Sequence, residues 1–226
     1  MENKEYEWDY LDKRGYNNNM GRYRSGVELK FIASNCRPRE DKILDIAGGS
    51  GRIAIPMLNY SRNITVNDIN ENALRILKER NLGIQTVAGD FTKVEFKDKY
   101  SLILCIEGPD YFHNWNDFFN TISTLLADNG KFIFTYTNPS SWRYRLRKLK
   151  NWRKSDPYHV VKFKELKKLL NSFNLEIENV NGFNWTLLPV SSNSPLVHFF
   201  STVEKGLGLN KWFSQSPWLM VSIKKR

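Results

Sequence analysis

The chain has 226 residues, of which 41% are hydrophobic, and it carries a formal net charge of +10. This length allows one substantial hydrophobic core and does not require two independently folding domains. No stretch approaches about 18 consecutive uncharged apolar residues, which excludes a membrane-spanning helix.

Residues 1–40 contain a cluster of aromatic side chains and begin with a polar, acidic stretch that is unlike a secretory signal peptide. Packing of an N-terminal helix on a sheet would account for these aromatics. Cys36 and Cys105 occur in different contexts and lack the spacing of metal ligands, so no metal is expected. Reduced cysteines fit a cytoplasmic location.

Residues 42–55, with the sequence KILDIAGGSGRIAI, form an apolar run that breaks into a glycine turn and resumes as a helix. Gly48, Gly49 and Gly51 let a ligand approach the backbone, because glycine has no Cβ and tolerates positive φ. The helix start adds unpaired N–H groups facing the same crevice. Asp45 lies inside the apolar run, where an acid is costly without a cationic partner, which favours a functional role. A nucleoside-like ligand is therefore expected.

Two ligands compete for this turn. Residues 49–54 satisfy the dinucleotide pattern G-x-G-x-x-G/A, with an acid about 20 residues further on, as a nicotinamide-dependent (NAD) oxidoreductase requires. Residues 45–51, DIAGGSG, resemble the first motif, (D/E)-x-G-x-G-x-G, of class I S-adenosylmethionine-dependent methyltransferases. Ala47 replaces the first glycine of that motif. The resemblance implies that Asp45 lies near the methionyl amino group of S-adenosylmethionine, and we favour this cofactor.

A second acid follows the next predicted strand. Residues 64–70 read as that strand, and the resemblance makes Asp68 the acid that holds both ribose hydroxyls, with Ile69 beside it. A carboxylate suits this role because it can accept from two hydroxyls at once. Asn70 or its neighbours are expected to cap a helix over residues 71–80.

A third acid follows a short strand predicted over residues 84–87. The resemblance implies that Asp90 binds the adenine amino group and that Phe91 packs on the adenine ring. A simpler interpretation of Asp90 is an N-cap before Thr92.

The fourth strand, residues 100–106, has the near-continuous apolar character of a buried parallel strand. The resemblance places Ile106 and Glu107 at the cofactor, where the family brings the acceptor and the methyl group together. A helix over 116–126 and a fifth strand over 131–137 follow. Repeated strand–helix alternation predicts an α/β, Rossmann-like doubly wound seven-stranded sheet, mostly parallel, with helices on both faces. In the family the last strand is antiparallel.

The resemblance also divides the chain, as one methyltransferase domain. A helical cover (1–40) precedes the cofactor-binding core (41–138), a basic insertion (139–162) and a C-terminal substrate-side half (163–226). Tyr16 is expected to close over the cofactor, and Arg22 to pair with its carboxylate.

The basic insertion is free of acids from residue 130 to 154 and contains apolar residues at three- and four-residue spacing. A basic amphipathic helix over 142–154 suits an anionic membrane surface, RNA phosphates or an anionic small substrate. The alternative is a helix whose basic side is solvated and whose apolar stripe packs on the domain. The bases of this helix are Arg143, Arg145, Arg147, Lys148, Lys150, Arg153 and Lys154.

The C-terminal half is expected to contain a helix over 164–173 and strands over 175–180 and 218–223. A long connection, residues 182–217, lies between these strands and includes a helix opened by Ser194-Pro195 and closed by Gly206. Its apolar stripe is expected to dock on the sheet or to wall an acceptor pocket. The stripe consists of Leu196, Phe199, Phe200, Val203 and Leu207.

The predicted reaction is methyl transfer from S-adenosylmethionine, by in-line displacement, to a small-molecule, saccharide or lipid-type acceptor, at oxygen. A hydroxyl acceptor benefits from a positioned base, and the candidates are His113 and His159, followed by Glu107 and Asp110. Transfer RNA methylation through the basic helix is the alternative, and a non-catalytic docking module is a further one. The expected location is cytoplasmic, with peripheral contact to a membrane or RNA through 142–154.

Overall fold

The computed structural model describes residues 16–37, 42–149 and 159–226. These residues build a seven-stranded sheet in which the strand order is β3-β2-β1-β4-β5-β7-β6. The strands are β1 (Lys42–Ile46), β2 (Asn63–Asp68), β3 (Gln85–Ala88), β4 (Tyr100–Cys105), β5 (Leu126–Thr137), β6 (Leu175–Phe183) and β7 (Trp218–Lys225). β7 runs antiparallel to β5 and β6, and the other neighbours are parallel. The predicted fold class is confirmed.

Helices cover both faces of the sheet. They are α1 (Asn19–Ala33), α2 (Ala54–Met57), α3 (Glu71–Glu79), α4 (Trp115–Leu125), α5 (Trp142–Leu149), α6 (Phe163–Ser172) and α7 (Leu196–Gly206). Because side chains alternate along a strand, Leu44 and Ile103 join the core under α4 and α6, whereas Ile43 and Leu104 join the core under α1, α2 and α3. Within the described ranges, no helix is both long enough and apolar enough to cross a membrane.

The predicted helices and strands are present, with shifts at their ends. β5 begins at Leu126 rather than at residue 131, because Leu126 already pairs with Tyr100 before the register shifts and Lys131 pairs with Leu102. β6 continues to Phe183, since β7 pairs with it to that point. The basic helix is described as α5 for residues 142–149, and its predicted remainder lies outside the described residues, as do Tyr6, Trp8 and Tyr10.

The predicted docking of the α7 apolar stripe on the sheet is wrong. α7 lies against α1, and its buried residues are Val197 and Glu204. The Tyr23 hydroxyl of α1 donates to Glu204 Oε2 at 2.6 Å, which turns the acidic side of α7 inward. The stripe is therefore left largely exposed.

Candidate active site

The carboxyl ends of β1, β2 and β4 open into a cavity of about 840 Å³. It lies where the strand order reverses between β1 and β4, which is the ligand position in open α/β sheets. Most of the predicted site residues line it: Tyr16, Asp45, Ala47, Gly48, Asp68, Ile69, Asp90, Phe91, Ile106, Glu107 and His113. Gly49 and Gly51 shape the turn beside it, and Arg22 and His159 are not among its lining residues.

The glycine turn after β1 has a backbone that few residues tolerate. Ala47 has φ 55°, in the left-handed region that favours glycine. At Gly48, an added Cβ would lie 2.7 Å from Asp45 Oδ2 and 2.8 Å from Val66 Cγ1. Gly48 is therefore required so that the Asp45 carboxylate can occupy the space beneath the turn.

Asp45 is 1% exposed, and its Oδ2 accepts no hydrogen bond from the described residues. Burial raises the pKa of Asp45 to about 7, although the nearby Arg52 guanidinium opposes the rise. A buried carboxylate oxygen without a donor is costly, and a cationic donor entering the cavity would relieve that cost.

Asp68 ties the end of β2 to the glycine turn. Its Oδ2 accepts from the backbone N–H of Gly49 and its Oδ1 from that of Asn70, both at 2.8 Å. Burial raises the pKa of Asp68, and the backbone donors oppose that rise. The Ile69 backbone N–H also interacts with this carboxylate. Because a carboxylate has about four lone-pair positions, these donors do not use all of them, and a ligand hydroxyl can still be accepted.

The third acid, Asp90, lies at the cavity and at the start of a turn, and the described residues between β3 and β4 form no helix after it. Asp90 lines the cavity, and its Oδ1 also accepts from the Thr92 backbone N–H at 3.0 Å and from the Thr92 hydroxyl at 2.8 Å. Phe91 beside it is 2% exposed and packs against Phe96 and Phe112, with ring centroids 5.7 and 6.3 Å apart. The turn after β3 is thus held by the hydrogen bonds of Asp90 and by the packing of Phe91.

A network of buried charges closes the cavity near Glu107. Arg24 of α1 forms an ion pair with Glu107 Oε1, and the Tyr16 hydroxyl donates to Glu107 Oε2 at 2.6 Å. Arg52 Nη1 pairs with Glu28 Oε2 at 2.6 Å, and the Arg52 guanidinium lies 4.3 Å from the centroid of the Tyr16 ring. Side chains from α1, the glycine turn and the loop after β4 thereby meet at one point.

Opposing effects act on Glu107. Burial alone would raise its pKa, but the charges of Arg24 and Arg52 outweigh burial and hold the pKa at about 2. The residue has φ 60°, a conformation that is strained for a side chain of this size. Its backbone N–H donates to Thr135 Oγ1 at 2.7 Å, which fixes the strained turn to β5.

Sequence reasoning missed Arg24, Glu28 and Arg52 as site residues. Arg22, the predicted arginine, is exposed and donates to Asn17 and Asn19 instead. The signal was the spacing of Arg24 and Glu28, which are four apart in α1 and therefore lie on one helix face.

The two candidate histidines lie together. The rings of His113 and His159 have centroids 4.4 Å apart. The backbone N–H of His159 donates to the Asp110 carbonyl at 2.8 Å, and the His159 carbonyl accepts from Trp115 Nε1 at 2.8 Å. His159 is thus attached to the loop that carries His113 into the cavity.

Comparison with known proteins agrees with this geometry. The sequence model of the methyltransferase domain matches residues 17–180, which is more than half of the chain. The chain belongs to the methyltransferase-domain family. The resemblance to class I methyltransferases, drawn from the motifs after β1, β2, β3 and β4, is confirmed.

Among curated methyltransferases, the chain is 25% identical over 153 residues to a ubiquinone biosynthesis O-methyltransferase of Rickettsia akari. The match covers 62% of this chain and 61% of that enzyme. The chain therefore spans about three fifths of the length of this relative.

Solved methyltransferase structures share the fold over nearly the whole chain. The magnesium protoporphyrin IX methyltransferase of Synechocystis PCC 6803, solved with bound SAH, superposes with a TM-score of 0.67 at 12% identity, covering 97% of this chain and 98% of that one. The N-methyltransferase NodS of Bradyrhizobium japonicum, also solved with SAH, gives 0.62 at 14% identity, covering 95% and 90%.

Proposed function

We propose that the protein transfers a methyl group from S-adenosylmethionine to an oxygen of a small-molecule or lipid-type acceptor. The observation that carries this proposal is the cavity itself, which joins the Asp45 carboxylate, whose Oδ2 lacks a donor among the described residues, with the Asp68 carboxylate and His113 in one space. S-adenosylmethionine supplies an already activated methyl group when bound, so the task of the chain is to hold and align the reactants.

The methionyl end of the cofactor carries an ammonium and a carboxylate, and the cavity offers a partner for each. Asp45 Oδ2 is the acceptor for the ammonium, because it is buried and lacks a donor among the described residues. Arg52, which lines the same cavity, is the donor for the carboxylate, because the Tyr16 hydroxyl already donates its single hydrogen to Glu107. In this proposal Arg52 takes the role that was predicted for Arg22.

The nucleoside end fits the opposite part of the cavity. The free lone pairs of Asp68 accept from the ribose hydroxyls, and Asp90 accepts from the adenine amino group. Ile69 lines the cavity but is 75% exposed, so an adenine ring would cover apolar surface that is now in water. Phe91 supports the ring from the core side.

The acceptor side is assigned to His113, with His159 as its neighbour. A neutral imidazole can take a proton from an acceptor hydroxyl. Glu107 is a poor base, because two arginines hold its pKa at about 2. We therefore assign Glu107 to positioning Arg24, Arg52 and Tyr16 rather than to proton transfer.

Oxygen as the acceptor atom is supported by the curated relative, which is named for O-methylation in ubiquinone biosynthesis. The nicotinamide alternative has less support, because the dinucleotide fold has the strand order 3-2-1-4-5-6, whereas here β7 is inserted antiparallel between β5 and β6.

Release of S-adenosylhomocysteine tests this proposal with hydroxylated quinone precursors, saccharides and transfer RNA as acceptors. We expect turnover with a hydroxylated small molecule, and a loss of about 10²-fold or more in His113→Ala with unchanged cofactor affinity. His198→Ala, an exposed histidine on α7, is the control. Full activity in both His113→Ala and His159→Ala would exclude a histidine base. Methylation of transfer RNA, without methylation of any small molecule, would make RNA the acceptor class instead.

A further inference from the structure

Four large apolar side chains of α7 lie in water. Leu196, Phe199, Val203 and Leu207 are 53%, 61%, 36% and 69% exposed. Their spacing of three and four residues puts them on one side of the helix, which we call the α7 face. Single exposed apolar residues are common, but a contiguous apolar stripe marks an interaction surface. Trp212, which follows α7, is also 58% exposed, and its ring stacks on that of Trp185 with centroids 5.7 Å apart.

The orientation of α7 is fixed by hydrogen bonds on its other side. Glu204 is 7% exposed and accepts from the Tyr23 hydroxyl and from the Trp185 backbone N–H. A helix that buries its acid and exposes its leucines has the reverse of the usual arrangement for a globular protein. The exposed stripe is thus held in place by specific contacts, since Tyr23 and Trp185 anchor the helix from two other segments.

The charge around the α7 face is positive. Residues 184–217 contain a single acid, the buried Glu204, whereas Lys205 and Lys211 are exposed. Arg143 of α5 is close enough to the Tyr23–Glu204 pair, which anchors the inner side of α7, to interact with it electrostatically. α5 has no acid and carries the further bases Arg145, Arg147 and Lys148.

We propose that the α7 face and α5 dock the protein on a bilayer surface that contains anionic lipids. The apolar stripe enters the headgroup region, and the bases of α5 contact lipid phosphates, as in an interfacial amphipathic helix. A second copy of the chain is a poorer occupant, because it would bring a net charge of +10 against another of +10. RNA phosphates would satisfy the basic residues, but nucleobases stack on aromatic side chains and would leave the aliphatic Leu196, Val203 and Leu207 without a partner.

Co-sedimentation with vesicles tests this inference without any methyl acceptor. The probes are phosphatidylcholine vesicles with and without phosphatidylglycerol. Wild type is expected to bind the anionic vesicles and to partition weakly to neutral ones. Phe199→Ser with Leu207→Ser is expected to weaken binding about tenfold or more, and Arg145→Gln with Lys148→Gln by about fivefold for each charge removed.

Leu82→Ser is the matched control, since Leu82 is 38% exposed and precedes β3, at the opposite edge of the sheet from β6. It should bind vesicles as wild type does, and thermal unfolding verifies that every variant is folded. Binding that survives the α7 substitutions overturns the inference, as does an absence of vesicle binding. A dimer in vesicle-free solution that the α7 substitutions dissociate would assign the face to a second copy. S-adenosylmethionine affinity is measured separately, so failure here leaves the proposed reaction standing.

Discussion

Asp45 connects the chemistry of the cavity to the pH of the solution. Its side chain is buried under the glycine turn, and burial raises its pKa to about 7. In the ligand-free protein the stability that this raised pKa contributes is complete below the unfolded pKa of about 4, and it is lost as pH rises towards 7. A bound ligand ammonium lowers the pKa of Asp45, because a neighbouring positive charge favours the charged carboxylate.

We therefore expect affinity for S-adenosylmethionine to fall as pH drops below about 7, by up to tenfold per pH unit. Calorimetric titrations between about pH 5.5 and 7.5 measure this dependence, below the range in which the ligand amine itself loses its proton. Asp45→Asn should bind weakly with a flatter profile. An affinity that is constant over this range in wild type would contradict the proposed contact.

Ala47 occupies a backbone position that suits glycine better, since its φ is 55°. Ala47→Gly should relieve strain and raise the free energy of unfolding by about 0.5–1 kcal/mol, after the entropy that glycine adds to the unfolded chain. For a chain of this size that corresponds to roughly 1–4 °C in Tm. Ala73→Gly, inside α3, should lower Tm. An equal fall in Tm in Ala47→Gly and Ala73→Gly would contradict backbone strain at residue 47.

The strands that lead to Asp45, Asp68 and Asp90, the acids proposed to bind the cofactor, can be predicted from local sequence. β1, β2 and β3 each end next to an acid, and a run of apolar residues followed by a turn is sufficient to predict that arrangement. The buried network around Glu107 could not be predicted from the sequence, because it joins residues from 16 to 107 through contacts that only the folded chain creates. The α7 stripe shows the same limit, since an amphipathic pattern gives the apolar side of a helix but not the side that docks.

The link from α1 to the loop after β4 depends on Arg24, which is 2% exposed and pairs with Glu107. Arg24→Gln leaves a buried carboxylate with one fewer cation, and should cost about 3 kcal/mol in urea unfolding. Arg24→Gln with Glu107→Gln should recover much of that loss, because no unpaired charge remains. If the losses in free energy of unfolding in Arg24→Gln and in Glu107→Gln sum to the loss in the double variant, the two residues do not interact.

On the scale of the whole molecule, the topology explains where function is concentrated. The reversal of strand order between β1 and β4 creates the cavity, while the long segment between β6 and β7 supplies the α7 face. The cofactor cavity and the α7 face consequently lie on different elements. Catalysis and docking can therefore be separated by mutation.

Calorimetric binding of S-adenosylmethionine to wild type and to Asp68→Ala tests the central claim most directly. We predict micromolar binding by wild type, binding weaker by about tenfold to 10²-fold in Asp68→Ala through lost charge-assisted hydrogen bonds, and unchanged binding in Asp128→Ala, an exposed acid between α4 and the main run of β5. Saturable binding of NADH in place of S-adenosylmethionine, or equal affinity in wild type and Asp68→Ala, would contradict the account.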